Sequence, residues 1–313
     1  MHENTITLKG EAARPDGVTF RVLQTLVPVV SNTCRRVLRF QAEGRSHLMR
    51  VPNWLNEVTD LELATHNQVS SDANSTRLVI KSPTLLDVAP QLFEQLPLFE
   101  ASLRSQDTAF NLFEEALLDA VNGNANSARI DSAILSSAAE FSDVLDLGFS
   151  SISLNGGPRP AVHITRETLK TVEQLQKTAP ESKKVVISGR LDSLTGSRRS
   201  FSLITGGRTI RGYFPTEDND RYKDLWDKRV VIDGDAVFKP SGEFSFVIAN
   251  YIQPAGDNDD IWESIPRSSP RTLDDVTPRT LMPPMVSGAG RVFGKWPGDE
   301  TDEEVMATLE AID

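Results

Sequence analysis

The chain predicts an α+β protein: an N-terminal α+β domain over 1–182, a small five-stranded β-barrel over 183–254, and a flexible C-terminal tail. Three observations carry this division. Residues 1–182 mix helical and strand periodicities without a repeating βαβ rhythm. Residues 183–254 show period-two alternation in five consecutive segments separated by turn chemistry. Beyond Pro254 no period is sustained until a short acidic, amphipathic stretch at the end.

In the first region Thr5-Ile-Thr-Leu-Lys9 alternates as a strand, and Val18–Phe40 carries Val22, Leu26, Val30, Val37 and Leu38 at helical intervals, with Pro28 inside. Leu61–Ala64 and Arg77–Ile80 read as strands. Asp107 is the expected cap of a helix whose apolar positions are Leu112, Phe113, Ala116, Leu117 and Ala120, closed by Asn122-Gly-Asn124. One further helix is expected from Ile130 through Ile134, Ala138 and Phe141 to Leu145. Ser150-Ile-Ser-Leu and Ala161-Val-His-Ile flank Asn155-Gly-Gly-Pro as a hairpin, and Thr165 starts a last helix towards Lys177.

The barrel strands are marked by Val185, Ile187 and Leu191; by Phe201 and Leu203; by Ile210 and Phe214 after the Gly206-Gly207 turn; by Val230, Ile232, Ala236 and Phe238; and by Phe244, Phe246, Ile248 and Ile252 after Pro240-Ser-Gly242. Tyr222, Leu225 and Trp226 put a helix between the third and fourth. Three strands, a helix and two strands is the element order of an OB-like barrel. Pro266, Pro270, Pro278, Pro283 and Pro284 among Ser, Thr, Asp and Arg make 255–290 a Pro-rich linker, although Trp262 and Ile265 are candidates to pin its start to a domain.

Charge is unevenly spread. The net charge is -11, and residues 255–313 hold 13 acidic against 5 basic side chains, whereas 183–254 hold 9 acidic against 12 basic. An acidic chain is a poor general nucleic-acid binder, and its tail suits a basic protein surface. No apolar run approaches the roughly 20 residues of a membrane span. The start, with His2, Glu3 and Asn4, lacks a secretory pattern, so a cytoplasmic location is expected.

Motifs for chemistry are missing from the sequence. Gly288-Ala-Gly290-Arg-Val-Phe-Gly294-Lys295 fails the phosphate-loop spacing, with Ala289 at the first glycine and Trp296 at the hydroxyl position. His2, His47, His66 and His163 are scattered, and the single Cys34 reads as a small buried hydrophobe rather than a nucleophile. The residues predict no cofactor, no metal site and no enzyme. On the barrel, Phe201, Tyr213, Phe214 and Phe244 are candidates to stack on bases while Arg198, Arg199, Arg208 and Arg211 follow phosphates. Their alternation with Ser200, Ser202 and Ser245 favours the phenylalanines as core and the arginines as a solvated rim.

The end of the chain combines a Gly-flanked cluster of Arg291, Phe293, Lys295 and Trp296 with Thr301 and Glu304 at capping-box spacing. Val305, Met306, Leu309 and Ile312 then recur at helical spacing. A helix this short is marginal alone, so its apolar face packs either on its own chain or on a partner. Gly294-Lys-Trp-Pro-Gly-Asp-Glu-Thr-Asp-Glu-Glu304 resembles a Gly-x-Trp-Pro-Gly-Asp/Glu-Glu-Ser/Thr-Asp-Glu-Glu element at the C-termini of bacterial antitoxin-like proteins paired with PIN-domain ribonuclease toxins. The body, including Glu43-Gly-Arg-Ser46, Phe113-Glu-Glu-Ala-Leu117, Ser188-Gly-Arg-Leu191 and Val237-Phe-Lys-Pro-Ser-Gly242, resembles an uncharacterised bacterial family.

The antitoxin resemblance implies a protein partner, a PIN-type ribonuclease whose clustered carboxylates hold divalent metal. Arg291 or Lys295 would insert as the cation, Trp296 would anchor, and Val305, Leu309 and Ile312 would lie in a groove. The large body and the lack of a recognisable short DNA-binding domain near the N-terminus depart from a typical antitoxin. The alternative is a single-stranded nucleic-acid-binding protein acting through the barrel.

Overall fold

A computed structural model of the chain describes residues 1–15, 17–48, 51–64, 74–93, 103–156, 160–195, 199–214, 220–256 and 258–268. The chain divides into two units, Met1–Arg271 and Thr272–Asp313. The second unit lies wholly outside the described residues, and with it the expected tail helix and all but the start of the Pro-rich linker.

The first half is an antiparallel sheet under helices. Strand β1 (His2–Gly10) is its centre, and helix α1 (Phe20–Glu43) follows, starting at Thr19, whose side chain accepts from the Val22 N–H, and ending at Gly44. It starts later and runs further than the periodicity suggests, with Pro28 inside. Short α2 (Asn53–Val58) leads to β2 (Glu62–Leu63) and β3 (Ser75–Ser82), and α3 (Leu85–Val88) to α4 (Ala109–Val121). The cap of α4 is Thr108, not Asp107: the Thr108 hydroxyl accepts from the Asn111 N–H, while the Asp107 carboxylate closes the preceding turn on the Arg104 N–H.

The single helix expected over 130–145 is two, α5 (Ser132–Ala139) and α6 (Phe141–Leu145). At Glu140 the bonding tightens, with the Asp143 N–H donating to the Glu140 carbonyl. This turn buries Phe141 against Phe113, ring centroids 6.2 Å apart. Strands β4 (Phe149–Asn155) and β5 (Val162–Ile164) form the expected hairpin, and α7 (Arg166–Thr178) starts from a reciprocal capping box between Thr165 and Thr168. The sheet order is β2-β3-β1-β4-β5, and its outermost strands are its shortest.

The second half is a closed barrel of β6 (Lys183–Thr195), β7 (Ser200–Thr205), β8 (Arg208–Tyr213), β9 (Arg229–Phe238) and β10 (Phe244–Pro254), with α8 (Asp220–Lys223) between β8 and β9. Around the barrel the order is β10-β8-β7-β6-β9; β8 pairs parallel with β10, and the other four pairings are antiparallel. Its interior holds Ile187, Leu191, Phe201, Ile210, Phe214 and Val247. Phe201 and Phe214 are core, as their alternation with serines suggests, and not base platforms; their rings lie 5.0 Å apart. Regular structure does not stop at Pro254: a 3-10 turn spans Asp259–Trp262, and Ile265 packs against the barrel core.

The two halves meet through side chains that complete the N-terminal core from the barrel side, namely Tyr213, Val237 and Phe246. The Phe246 ring lies 5.3 Å from Phe40 at the end of α1 and 5.2 Å from Tyr213. Gly44 terminates α1 with φ +69°, and an added Cβ there would overlap the Tyr213 ring and come within 2.9 Å of Phe246. The same glycine thus permits the left-handed helix end and the close approach of the barrel.

Candidate functional site

Barrel closure is uneven. Strands β8 and β10 pair only at Gly212 with Val247 and Tyr213 with Ile248, and β10 carries a register shift between Phe244 and Phe246 against β9. A bulge bends its strand and re-aims side chains. Ahead of those two pairs the strands separate, and the gap opens into a cleft of about 830 Å³. Arg208–Arg211 of β8 form one wall and Ser241–Phe246 the other; Phe40, Gln41, Ala128 and Arg129 close it from the N-terminal half, and Ile265–Ser268 run along its rim.

The floor is aromatic and sealed. Phe40, Tyr213 and Phe246 are all buried, their rings locked together by the Gly44 approach. Phe244 differs, being half-buried, with its ring edge-on to Phe238 at 6.4 Å. Two backbone bonds shape the rim: the Ser241 N–H donates to the Ala125 carbonyl at 2.9 Å, and the Ser268 N–H to the Gly242 carbonyl at 3.2 Å. The second of these brings Arg267 to the cleft.

Positive charge dominates the walls. Arg129 is neutralised by Glu115 at 3.0 Å and Asp119 at 3.2 Å, and the Glu243 carboxylate is held by Lys239 at 3.0 Å. Arg208, Arg211 and Arg267 are exposed and have no ion pair among the described residues. The Ser241 hydroxyl is buried at the cleft without a hydrogen-bond partner among the described residues. Unused buried polar groups are costly, of order 1–3 kcal/mol each. A donor-rich cleft of this kind is suited to an anion, and the planar guanidinium fork matches phosphate in particular.

Of the barrel residues named from sequence, Arg208 and Arg211 come together here and Tyr213 lies in the floor, where its burial removes it as an open stacking platform. Arg199 does not line the cleft; it sits at the β6–β7 connection with φ 50°, its carbonyl accepting from the Phe214 N–H at 2.7 Å. Arg198 lies outside the described residues, as do Arg291, Phe293, Lys295, Trp296, Val305, Leu309 and Ile312. Arg267 and Ser241 were missed. Nothing in the linear pattern marks them, because the site gathers segments far apart in the chain.

Other chemistry-bearing residues are occupied structurally. Cys34 is fully buried in α1, and desolvation raises its thiol pKa far above the ordinary range, keeping it neutral. His163 shares a 3.0 Å hydrogen bond with Ser153 on the neighbouring strand, as its place in a strand suggests. Among the described residues no group of three or more His, Cys, Asp or Glu side chains is arranged to hold a metal, and no helix is long and apolar enough to cross a membrane. Comparison with protein-family models, curated proteins and solved structures finds no match to this chain.

Proposed function

We propose that this chain is a cytoplasmic, non-catalytic binding protein that neutralises a PIN-type ribonuclease through residues 291–313. The observation that carries the reading is the Gly294–Glu304 sequence element, with Trp296, Pro297 and Gly298 ahead of Thr301 and Glu304 at capping-box spacing. Trp296 is the anchor. Truncating a central aromatic typically costs at least about 2 kcal/mol, a roughly thirtyfold loss of affinity. Trp296→Ala should therefore weaken the complex, measured by calorimetry against the co-purified partner, with the unfolding transition of the body unchanged. If the tail inhibits by placing a cation among the nuclease carboxylates, Arg291→Ala or Lys295→Ala restores nuclease activity more than it weakens binding. Deleting 291–313 with neither binding nor inhibition altered would refute the reading.

One feature of the body favours a second reading, a single-stranded nucleic-acid-binding protein. Numbered from its first strand, the barrel runs one-two-three-five-four with strands three and five parallel, the arrangement expected of an OB-like barrel. Its third strand presents Arg208 and Arg211 to solvent without carboxylate partners among the described residues. The two readings use different parts of the chain and are separately testable.

A further inference from the structure

Resting on the second reading, we infer that the strand-binding site is the seam cleft between β8 and β10, where Arg208, Arg211 and Arg267 take phosphates of a short single-stranded segment and Phe244 takes one of its bases. Three observations carry this. The guanidinium groups come from two separate segments and line one cleft, without carboxylates among the described residues to neutralise them. Two other charged side chains of the lining, Arg129 and Glu243, are each paired, so neither competes for the ligand nor repels it strongly. Phe244 is the half-buried aromatic in a lining whose other rings, Phe40, Tyr213 and Phe246, are buried.

The arrangement leaves open only part of the site that strand order alone would suggest. The outer surface of an OB-like barrel around its second and third strands is where such barrels receive oligonucleotides. Here Tyr213, at the end of that surface, is covered by Gly44 and Phe246, and Ser202 is buried in a hydrogen bond with Ser193. The N-terminal half has taken over part of this surface, and the opening that remains lies at the seam. At about 830 Å³ the cleft falls within the roughly 300–1,000 Å³ range of pockets that enclose small ligands. It therefore accepts a few nucleotides.

The test is fluorescence anisotropy of the full chain with labelled ten-residue oligouridylate, titrated with salt, with unlabelled UpU and a decaglutamate peptide as competitors. Three phosphate contacts to a single strand predict a log–log salt slope of about -2. Arg208→Ala with Arg211→Ala should reduce affinity at least 100-fold and flatten that slope by about 1.4. Phe244→Ala should cost about tenfold, as loss of one stacked base. Competition by UpU as strong as by the oligonucleotide supports the same cleft with a free dinucleotide as its ligand, and weaker competition assigns it to a strand. Should the double variant misfold in a thermal melt, Arg267→Ala and photocrosslinking of 4-thiouridine to the Phe244 peptide address the same question.

Oligonucleotide binding that survives the cleft variants but is lost in Arg199→Ala would overturn the cleft and leave the second reading standing. No oligonucleotide binding by the wild-type chain would remove the second reading itself. Displacement by decaglutamate, without oligonucleotide binding, would make the cleft a site for acidic peptide and overturn the inference.

Discussion

The two halves of the body each organise five strands and treat sheet edges in opposite ways. The N-terminal sheet stays open, covers one face with helices and ends in strands of two and three residues. The barrel closes, but its last seam is joined over two residue pairs. What the difference teaches is where a site can form. In the open sheet, blunted edges leave little backbone for a ligand. In the barrel, the weak seam is half sealed by the neighbouring half and half left open, and the open part is the arginine-lined cleft.

Whether the halves are separate bodies sharing a chain or one cooperative unit is tested by their deepest aromatics. Phe113 is fully buried between Phe110 and Phe141, at 5.5 and 6.2 Å, and Phe201 fills the barrel beside Phe214. Either Phe→Ala change should cost about 3–5 kcal/mol, the largest effects expected here. Because Tyr213, Val237 and Phe246 of the barrel belong to the N-terminal core, both variants should shift one common denaturation transition. Two transitions, each sensitive to one variant, would break the comparison by making the halves independent.

The junction itself is probed by Gly44. Alanine there meets an unfavourable left-handed backbone, about 1–2 kcal/mol, and forces the Tyr213 ring to move, about 1–3 kcal/mol more. In a double-mutant cycle with Tyr213→Ala most of the steric part should disappear, leaving the backbone part and the lesser contact with Phe246. Additive effects would mean that the ring is not held where its contacts with Gly44 and Phe246 place it.

Legibility differed between the halves for physical reasons. Barrel strands announce themselves because one side of each faces a closed interior, so the apolar Ile187, Leu191, Phe201, Leu203 and Ile210 recur at even spacing within their strands, with polar residues or glycine on most positions between them. The longer N-terminal elements were found but misjoined, and the short helices α2 and α3 were missed: apolar spacing runs on through Glu140, so two helices look like one, and Asp107 and Thr108 are both good caps, so only the bond to Asn111 decides. Of the cleft, Arg208 and Arg211 were legible as cations on a strand. Tyr213 was misassigned because nothing local signals that Gly44, far earlier in the chain, will pack on it. Arg267 was invisible as a site residue because its approach depends on the Ser268 bond to Gly242.

The smallest expected effect concerns how the N-terminal half holds its segments, by caps where the barrel uses ladders. Asp131 caps α5 by accepting from the Ile134 N–H at 2.8 Å, and a hydrogen bond from Ser46 ties it to the segment after α1. Burial raises its carboxyl pKa, against the hydrogen bonds of Ser46 and Ile134 and the nearby His47 charge, which pull the other way. A folded-state pKa above the unfolded value of about 3.9 means that the folded state binds the proton more tightly. Stability from this group is therefore complete below that pH and is lost as the pH rises through the folded value. Asp131→Ala should cost about 1 kcal/mol through the lost cap. Asp131→Asn keeps the acceptor and removes the titration, so it should gain slightly on wild type near pH 7 and lose that gain towards pH 4, read from urea midpoints at the two pH values. An Asn variant that lost stability at pH 7 and recovered it towards pH 4 would show that the charge on Asp131, and not merely its oxygen, holds α5 to the end of α1.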